Sequence, residues 1–301
     1  MSDSPISFRE LREAGIVAQA APQSLTASDG VRLSYRQYVP ASPRAVVLFY
    51  HGGGAHGAAG YQYLANGLQQ QFSTATCLPD IRGHGASEGL RGDAPSPRQV
   101  WADIATFIKH VRAEFPGLPL FLGGHSSGAG LTLNYASQQG HEPVDGYIFL
   151  SPEFGFRSNT ARPSHGSSFA SVNVRPFIVN AMSKGLLFGH SRAVQLHYPS
   201  EVLALDSNLV SSYSVNMANA LTPLAPHKQF AALDRAFGLW IGSEDELIVP
   251  GMVLAFADLA ASIRSSSLAI SIPGGKHLSV LVKAHEVIGP WIAGQVSKRG
   301  A

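Results

Sequence analysis

The sequence predicts an α/β fold with a mostly parallel central sheet flanked by helices. Three observations predict it. Short, nearly unbroken apolar runs such as "RAVVLFYHGGG" and "PLFLGG" suit strands buried on both faces. Each run stops at glycines or a polar loop. Between the runs lie segments whose apolar residues recur at helical spacing, and strands alternating with helices imply a parallel sheet.

Taken in order, "QSLTASDGVRLSYRQYVP" reads as two short strands around a turn at Ser28-Asp29-Gly30. "RAVVLFYHGGG" and "STATCLPDIRGHG" are the next two strands. In "SPRQVWADIATFIKHVRAEFPG", Val100, Ile104, Phe107, Ile108 and Val111 lie on one helical face, and Gly117 ends the helix. "PLFLGGHSSGAGLTLNYASQQG" is strand, tight turn, then helix. "VDGYIFLSPEF", "FGLWIGSEDELIVP" and "SLAISIPGGKHLSVL" supply three more strands. "GMVLAFADLAASI" is a helical crossover between the last two, and "AHEVIGPWIAGQVSK" is a closing helix.

One spacing is too long. The strand ending near Leu150 and the strand starting near Phe237 are separated by far more than a crossover with its helix requires, about 30 residues. The expectation is a core of residues 1–155 and 236–301, with residues 156–235 inserted as a small, mainly helical cap. Pro163, Gly166, Gly185 and Pro199 cut that insertion into short pieces.

With 301 residues, 45% of them hydrophobic, the chain can bury a large core. A net charge of +2 without clustered Lys or Arg argues against a nucleic-acid partner. The single cysteine, Cys77, excludes an internal disulfide framework and a cysteine-based zinc site, and reads as a small core residue. The start, "MSDSPISFRELREAG", carries acids and lacks the apolar stretch of a signal peptide, and no run is long enough to span a membrane. A cytoplasmic protein is expected, with homo-oligomerisation left open.

The stretch "GGHSSGAG" raises a chemical question, because Gly-x-Ser-x-Gly occurs twice, around Ser126 and around Ser87. Ser126 follows an apolar strand and precedes a helix, the context that lifts a serine above a sheet on a strained turn. Gly124 and Gly128 let strand and helix approach there. Ser87 is followed by "GLRGDAPSP", full of breakers, and reads as a turn serine. Ser127 is out of frame with the glycines, but its backbone N–H would face an oxyanion formed beside Ser126.

Three further stretches favour chemistry over a bare Gly-rich turn. "YHGGGAHGAAGY" follows a buried strand and could bring a second N–H donor, at Gly53, to that oxyanion; a turn that merely needs positive φ is the simpler reading. His51 is read as orienting this loop. "GSEDELIVP" places Asp245 just past a strand, on the side where open α/β sheets carry their sites, with Glu244 and Glu246 as neighbours that leave the choice open. "PGGKHLSVL" places His277 after the last strand. The order Ser126, Asp245, His277 is the one that accompanies this elbow.

At "HGGGAHGAAGY", "PDIRGHGASEGLRG", "GGHSSGA", "GSEDEL" and "GGKHL", the chain resembles the α/β-hydrolases, and within them the monoacylglycerol lipase, lysophospholipase and serine aminopeptidase S33 group. The resemblance runs from about Ser24 to Trp291 and is weakest over the cap. It implies an α/β-hydrolase fold with Ser126 as nucleophile, His277 as base and Asp245 as the acid that orients it. The N–H groups of Gly53 and Ser127 would form the oxyanion hole. It implies that the "RGHGASEG" loop is a family segment, and the second serine motif a coincidence within it.

The expected function is cleavage of small or lipid-like carboxylic esters through an acyl-enzyme, with no metal or cofactor. His56, His84, His125 and His165 show no metal-ligand spacing. Two alternatives stand beside it. An aminopeptidase or amidase of the same fold would need carboxylates for the substrate amine, for which Glu153, Glu201 and Asp206 are the candidates. A non-catalytic binder would have no use for three coupled residues. The broken apolar runs of the cap suggest an acyl optimum between butyrate and octanoate.

Overall fold

A computed structural model of the protein describes residues 6–163 and 169–299; His165 lies outside the described residues. A short helix α1 (Arg9–Glu13) precedes strands β1 (Pro22–Thr26), β2 (Arg32–Tyr38) and β3 (Ala45–Tyr50). Helix α2 (Tyr61–Phe72), β4 (Thr74–Pro79), helix α3 (Pro97–Glu114), β5 (Leu120–His125), helix α4 (Ser127–Ala136) and β6 (Gly146–Leu150) follow. Next come β7 (Ala170–Val172), α5 (Val174–Met182), β8 (Arg192–Leu196), α6 (Ser200–Leu205), β9 (Ser212–Ser214), α7 (Val215–Leu221) and α8 (Pro226–Ala231). The chain closes with β10 (Phe237–Gly242), α9 (Pro250–Leu254), β11 (Leu268–Ile272), α10 (Val280–Lys283) and α11 (His285–Arg299).

Eight strands form one sheet in the order β1-β2-β4-β3-β5-β6-β10-β11. Every pair from β4 across to β11 is parallel, and β1 and β2 add an antiparallel edge. The alternation of side chains explains why the central strands read as unbroken apolar runs. In β3, Val46, Leu48 and Tyr50 pack with α3, α4, α7 and α8, while Val47 and Phe49 pack with α2, α10 and α11. All eight strands anticipated from the sequence are present. Helix α2 was not anticipated, although Tyr61, Leu64, Ala65 and Leu68 carry the i, i+3, i+4, i+7 spacing and are buried. The crossover before β11 is α9 followed by 3₁₀ turns at Ala255–Leu259 and Ala261–Ser266, rather than one helix.

Between β6 and β10 the chain carries the short helices α5 to α8, and also a three-stranded antiparallel sheet, β7-β8-β9, that the sequence did not announce. Helices α7 and α8 return to pack on α3 and α4. The C-terminal ends of β3, β5, β6, β10 and β11 converge beneath this segment, where parallel sheets place their ligands. Among the described residues, no helix is long and apolar enough to cross a membrane.

Candidate active site

Ser126 sits between β5 and α4 with φ 54° and ψ −123°, a backbone that a residue with a side chain adopts only at a cost of about 1–3 kcal/mol. The turn is forced by close approach. A Cβ on Gly124 would lie 2.3 Å from the Gly128 carbonyl carbon, and one on Gly128 would lie 2.4 Å from the His51 carbonyl oxygen. The Ser126 N–H is tied to the Leu150 carbonyl at 3.0 Å, so β6 holds the elbow from the side.

His277, in the loop after β11, brings Nε2 to 3.0 Å from Ser126 Oγ. Its Nδ1 lies 2.8 Å from Asp245 Oδ2, in the loop after β10. The other Asp245 oxygen accepts the N–H groups of Leu247 and Ile248, each at 3.0 Å. Both side chains are buried. Burial opposes charge on each of them. The ion pair and the N–H donors win, lowering the Asp245 pKa and raising that of His277; Glu246 and Glu153 add to the field on the imidazole. The tautomer follows from the acceptor: Nδ1–H donates to the carboxylate, leaving Nε2 free to take a proton from Ser126.

Three consecutive glycines after β3 present three N–H groups, and two are taken. Gly52 donates to the Tyr61 hydroxyl at 2.6 Å, and Gly54 donates to the Tyr213 hydroxyl. Gly53 N–H has no partner among the described residues, nor has the N–H of Ser127 at the start of α4. The buried Ser127 Oγ, also without a partner, sits beside Gly53. Two free donors thus flank Ser126. Positive φ is needed only at Gly54, with φ +71°.

All five predicted residues meet in one place, and the competing serine does not. Ser87 Oγ donates to the Asp80 carbonyl at 2.7 Å and accepts the Ser34 N–H at 2.8 Å, stitching a loop to β2. Of the three neighbouring acids, Glu244 is exposed, and Glu246 turns back to accept the His277 N–H at 2.7 Å. His51 Nε2 accepts the Ile81 N–H, so its Nδ1–H donates to the Gly52 carbonyl.

Sequence reasoning missed the supports. Neutral His125, its pKa pushed down to about 3 by burial and the neighbouring His277, donates Nε2–H to the His277 carbonyl at 2.8 Å. Its Nδ1 then accepts the Tyr61 hydroxyl at 3.0 Å. From the other side Tyr198 O–H donates to the Gly53 carbonyl at 2.5 Å. His125 stands inside the motif "GHSSG" and was visible there; Tyr198 and Tyr213 had no local signal.

The site opens into a cavity of about 1870 Å³. Phe177, Ile178, Val194, Leu196 and Val202, all from the segment between β6 and β10, line it. Glu153 lines it too, its Oε1 accepting the Gly155 N–H at 2.7 Å and its pKa raised by burial. Asp206, on the same wall, is paired with His56 at 2.7 Å.

The chain is 27% identical over 232 residues to the monoglyceride lipase of Homo sapiens, covering 74% of this chain and 73% of that one. It superposes on a soluble variant of monoglyceride lipase from Saccharomyces cerevisiae, solved with a substrate analog. The TM-score is 0.71 at 18% identity, over 93% of this chain and 96% of the other. A thermostable carboxyl esterase from Bacillus coagulans, solved with glycerol, superposes with a TM-score of 0.70 at 17% identity, over 93% and 100% of the two chains. At those identities the structural likeness is one of fold, the α/β-hydrolase fold. The family described as serine aminopeptidase, S33, matches residues 41–279, and this chain belongs to it.

Proposed function

We propose that this α/β-hydrolase cleaves carboxylic esters of lipid-like acids, with Ser126 as nucleophile, His277 as general base and Asp245 as its orienting acid. The observation that carries the reading is the unbroken relay from Asp245 Oδ2 through His277 to Ser126 Oγ, at 2.8 and 3.0 Å, on the floor of an apolar cavity. As Ser126 Oγ attacks the ester carbonyl, its proton passes to His277 Nε2. The oxyanion is met by the N–H groups of Gly53 and Ser127. The imidazolium returns the proton to the leaving alcohol, and water repeats the cycle on the acyl-enzyme.

Residues 156–235 act as the cap over this chemistry and shape the acyl pocket. The named activities of the relatives, monoglyceride lipase and carboxyl esterase, support an ester substrate. The peptidase reading has one specific support, the Glu153 carboxylate in the cavity, against a wall that is otherwise mainly apolar.

A fluorophosphonate probe should label Ser126, as read by peptide mapping, and Ser126→Ala should abolish both labelling and turnover of p-nitrophenyl esters. Asp245→Asn should lower kcat by about 10⁴ and Glu244→Gln should leave it near wild type. Labelling at Ser87, or equal losses at residues 244 and 245, would overturn the assignment.

A further inference from the structure

We propose that residues 6–11 form a specificity-determining wall of the acyl cavity, seated there by the two loops that carry Asp245 and His277. The inference rests on the ester-hydrolase reading above and adds where the acyl chain is measured. Ile6, Phe8 and Leu11 line the same cavity as Ser126 and His277, and Ile6 is only 5% exposed. All three are apolar, and the Phe8 ring lies 6.2 Å from the ring of Tyr198, closing against the opposite wall.

Two of the polar residues between them, Ser7 and Glu10, face the catalytic loops. Ser7 N–H donates to Glu246 Oε1 at 3.0 Å, while Glu246 Oε2 accepts the His277 N–H at 2.7 Å. One carboxylate thus joins this arm to the backbone of the general base. Glu10 pairs with Lys276, the residue before His277, at 2.6 Å, and that pairing together with the Ser7 hydroxyl holds the Glu10 carboxyl down at about 2. Tyr63 O–H donates to the Gly15 carbonyl at 2.7 Å and Asn66 Nδ2 to the Ala18 carbonyl at 2.9 Å, anchoring the following residues on α2.

A five-residue helix has no stability of its own, so α1 is ordered by these contacts. The arm also lies outside the family match, which begins at residue 41. What its side chains offer a ligand is apolar surface, suited to the distal part of an acyl chain and to neither an amine nor a phosphate.

The test is a p-nitrophenyl ester series from acetate to palmitate on the full chain carrying Phe8→Ala, Phe8→Trp or Leu11→Ala. Phe8→Leu serves if the alanine variant does not fold. The alanine variants should keep acetate hydrolysis within about twofold of wild type. They should lose about fourfold in kcat/KM for each acyl methylene that no longer meets the wall. Phe8→Trp should move the optimum to shorter acids. An unchanged chain-length profile in every variant overturns the proposal, and so does a loss that is uniform over all chain lengths, which a purely structural arm would give. Ser126→Ala in the same series separates the two readings: if it retains turnover, the nucleophile assignment fails, whatever the arm variants do.

Discussion

His277 works where burial and charge pull its proton in opposite directions. Burial alone would make the imidazole a weak base, yet Asp245 at 2.8 Å, followed by Glu246 and Glu153, raises its pKa above the ordinary value. On the proposed mechanism a protonated His277 cannot take the Ser126 proton, so activity should be present above that pKa and be lost as the pH falls through it. The acid limb of kcat/KM should accordingly lie above the ordinary histidine value. Glu153 contributes as a charge and not as a hydrogen-bond partner of the ring. Glu153→Gln removes that charge, makes the imidazolium less favourable and should move the acid limb to lower pH. A pH profile of ester hydrolysis for both proteins reads this directly. A limb that stays in place would mean Glu153 is uncharged throughout the titration of His277.

At the scale of elements, the glycine loop after β3 is held by hydroxyls from three places. Tyr61 of α2 fixes the Gly52 N–H, while the peptide between Gly53 and Gly54 is gripped at both ends, its carbonyl by Tyr198 and its N–H by Tyr213 of β9. The free Gly53 N–H is aimed because the peptide units on either side cannot rotate. Removing an oxyanion donor outright costs about 10²–10³ in kcat. Loosening its loop should cost less, so Tyr198→Phe and Tyr213→Phe should each lower kcat by about tenfold, with the double variant approaching the loss of a donor. Steady-state kinetics should show kcat falling more than KM rises; a change confined to KM would make these tyrosines pocket walls only. Neither tyrosine was legible in the sequence, because their partners lie 145 and 159 residues away. The strand ends were legible for the opposite reason. A strand buried on both faces must be apolar throughout, so "AVVLFY" and "FGLWIG" announce themselves, and the first polar residues beyond them mark the site.

Over the whole molecule, residues between β6 and β10 resisted reading because their apolar groups serve a cavity and not a periodic core face. Val194 and Leu196 come from a strand, Phe177 and Ile178 from a helix, and Val202 from another helix. In the sequence these are short, interrupted runs, which suggested an optimum between butyrate and octanoate. In three dimensions they line one cavity with Phe8 and Leu11, and its volume of about 1870 Å³ exceeds the few hundred to ~1,000 Å³ of most ligand sites. Pocket size follows from how separate elements converge, which interrupted runs do not encode. Each acyl methylene buried against such a wall contributes up to about 0.8 kcal/mol, so kcat/KM should keep rising past octanoate and peak at decanoate or longer. The measurement is the wild-type p-nitrophenyl ester series set beside alanine and proline p-nitroanilides. A peak at or below octanoate would show that the cavity is not filled by the acyl chain. Anilides turned over faster than every ester would favour the peptidase reading, with Glu153 as the carboxylate that receives the amine.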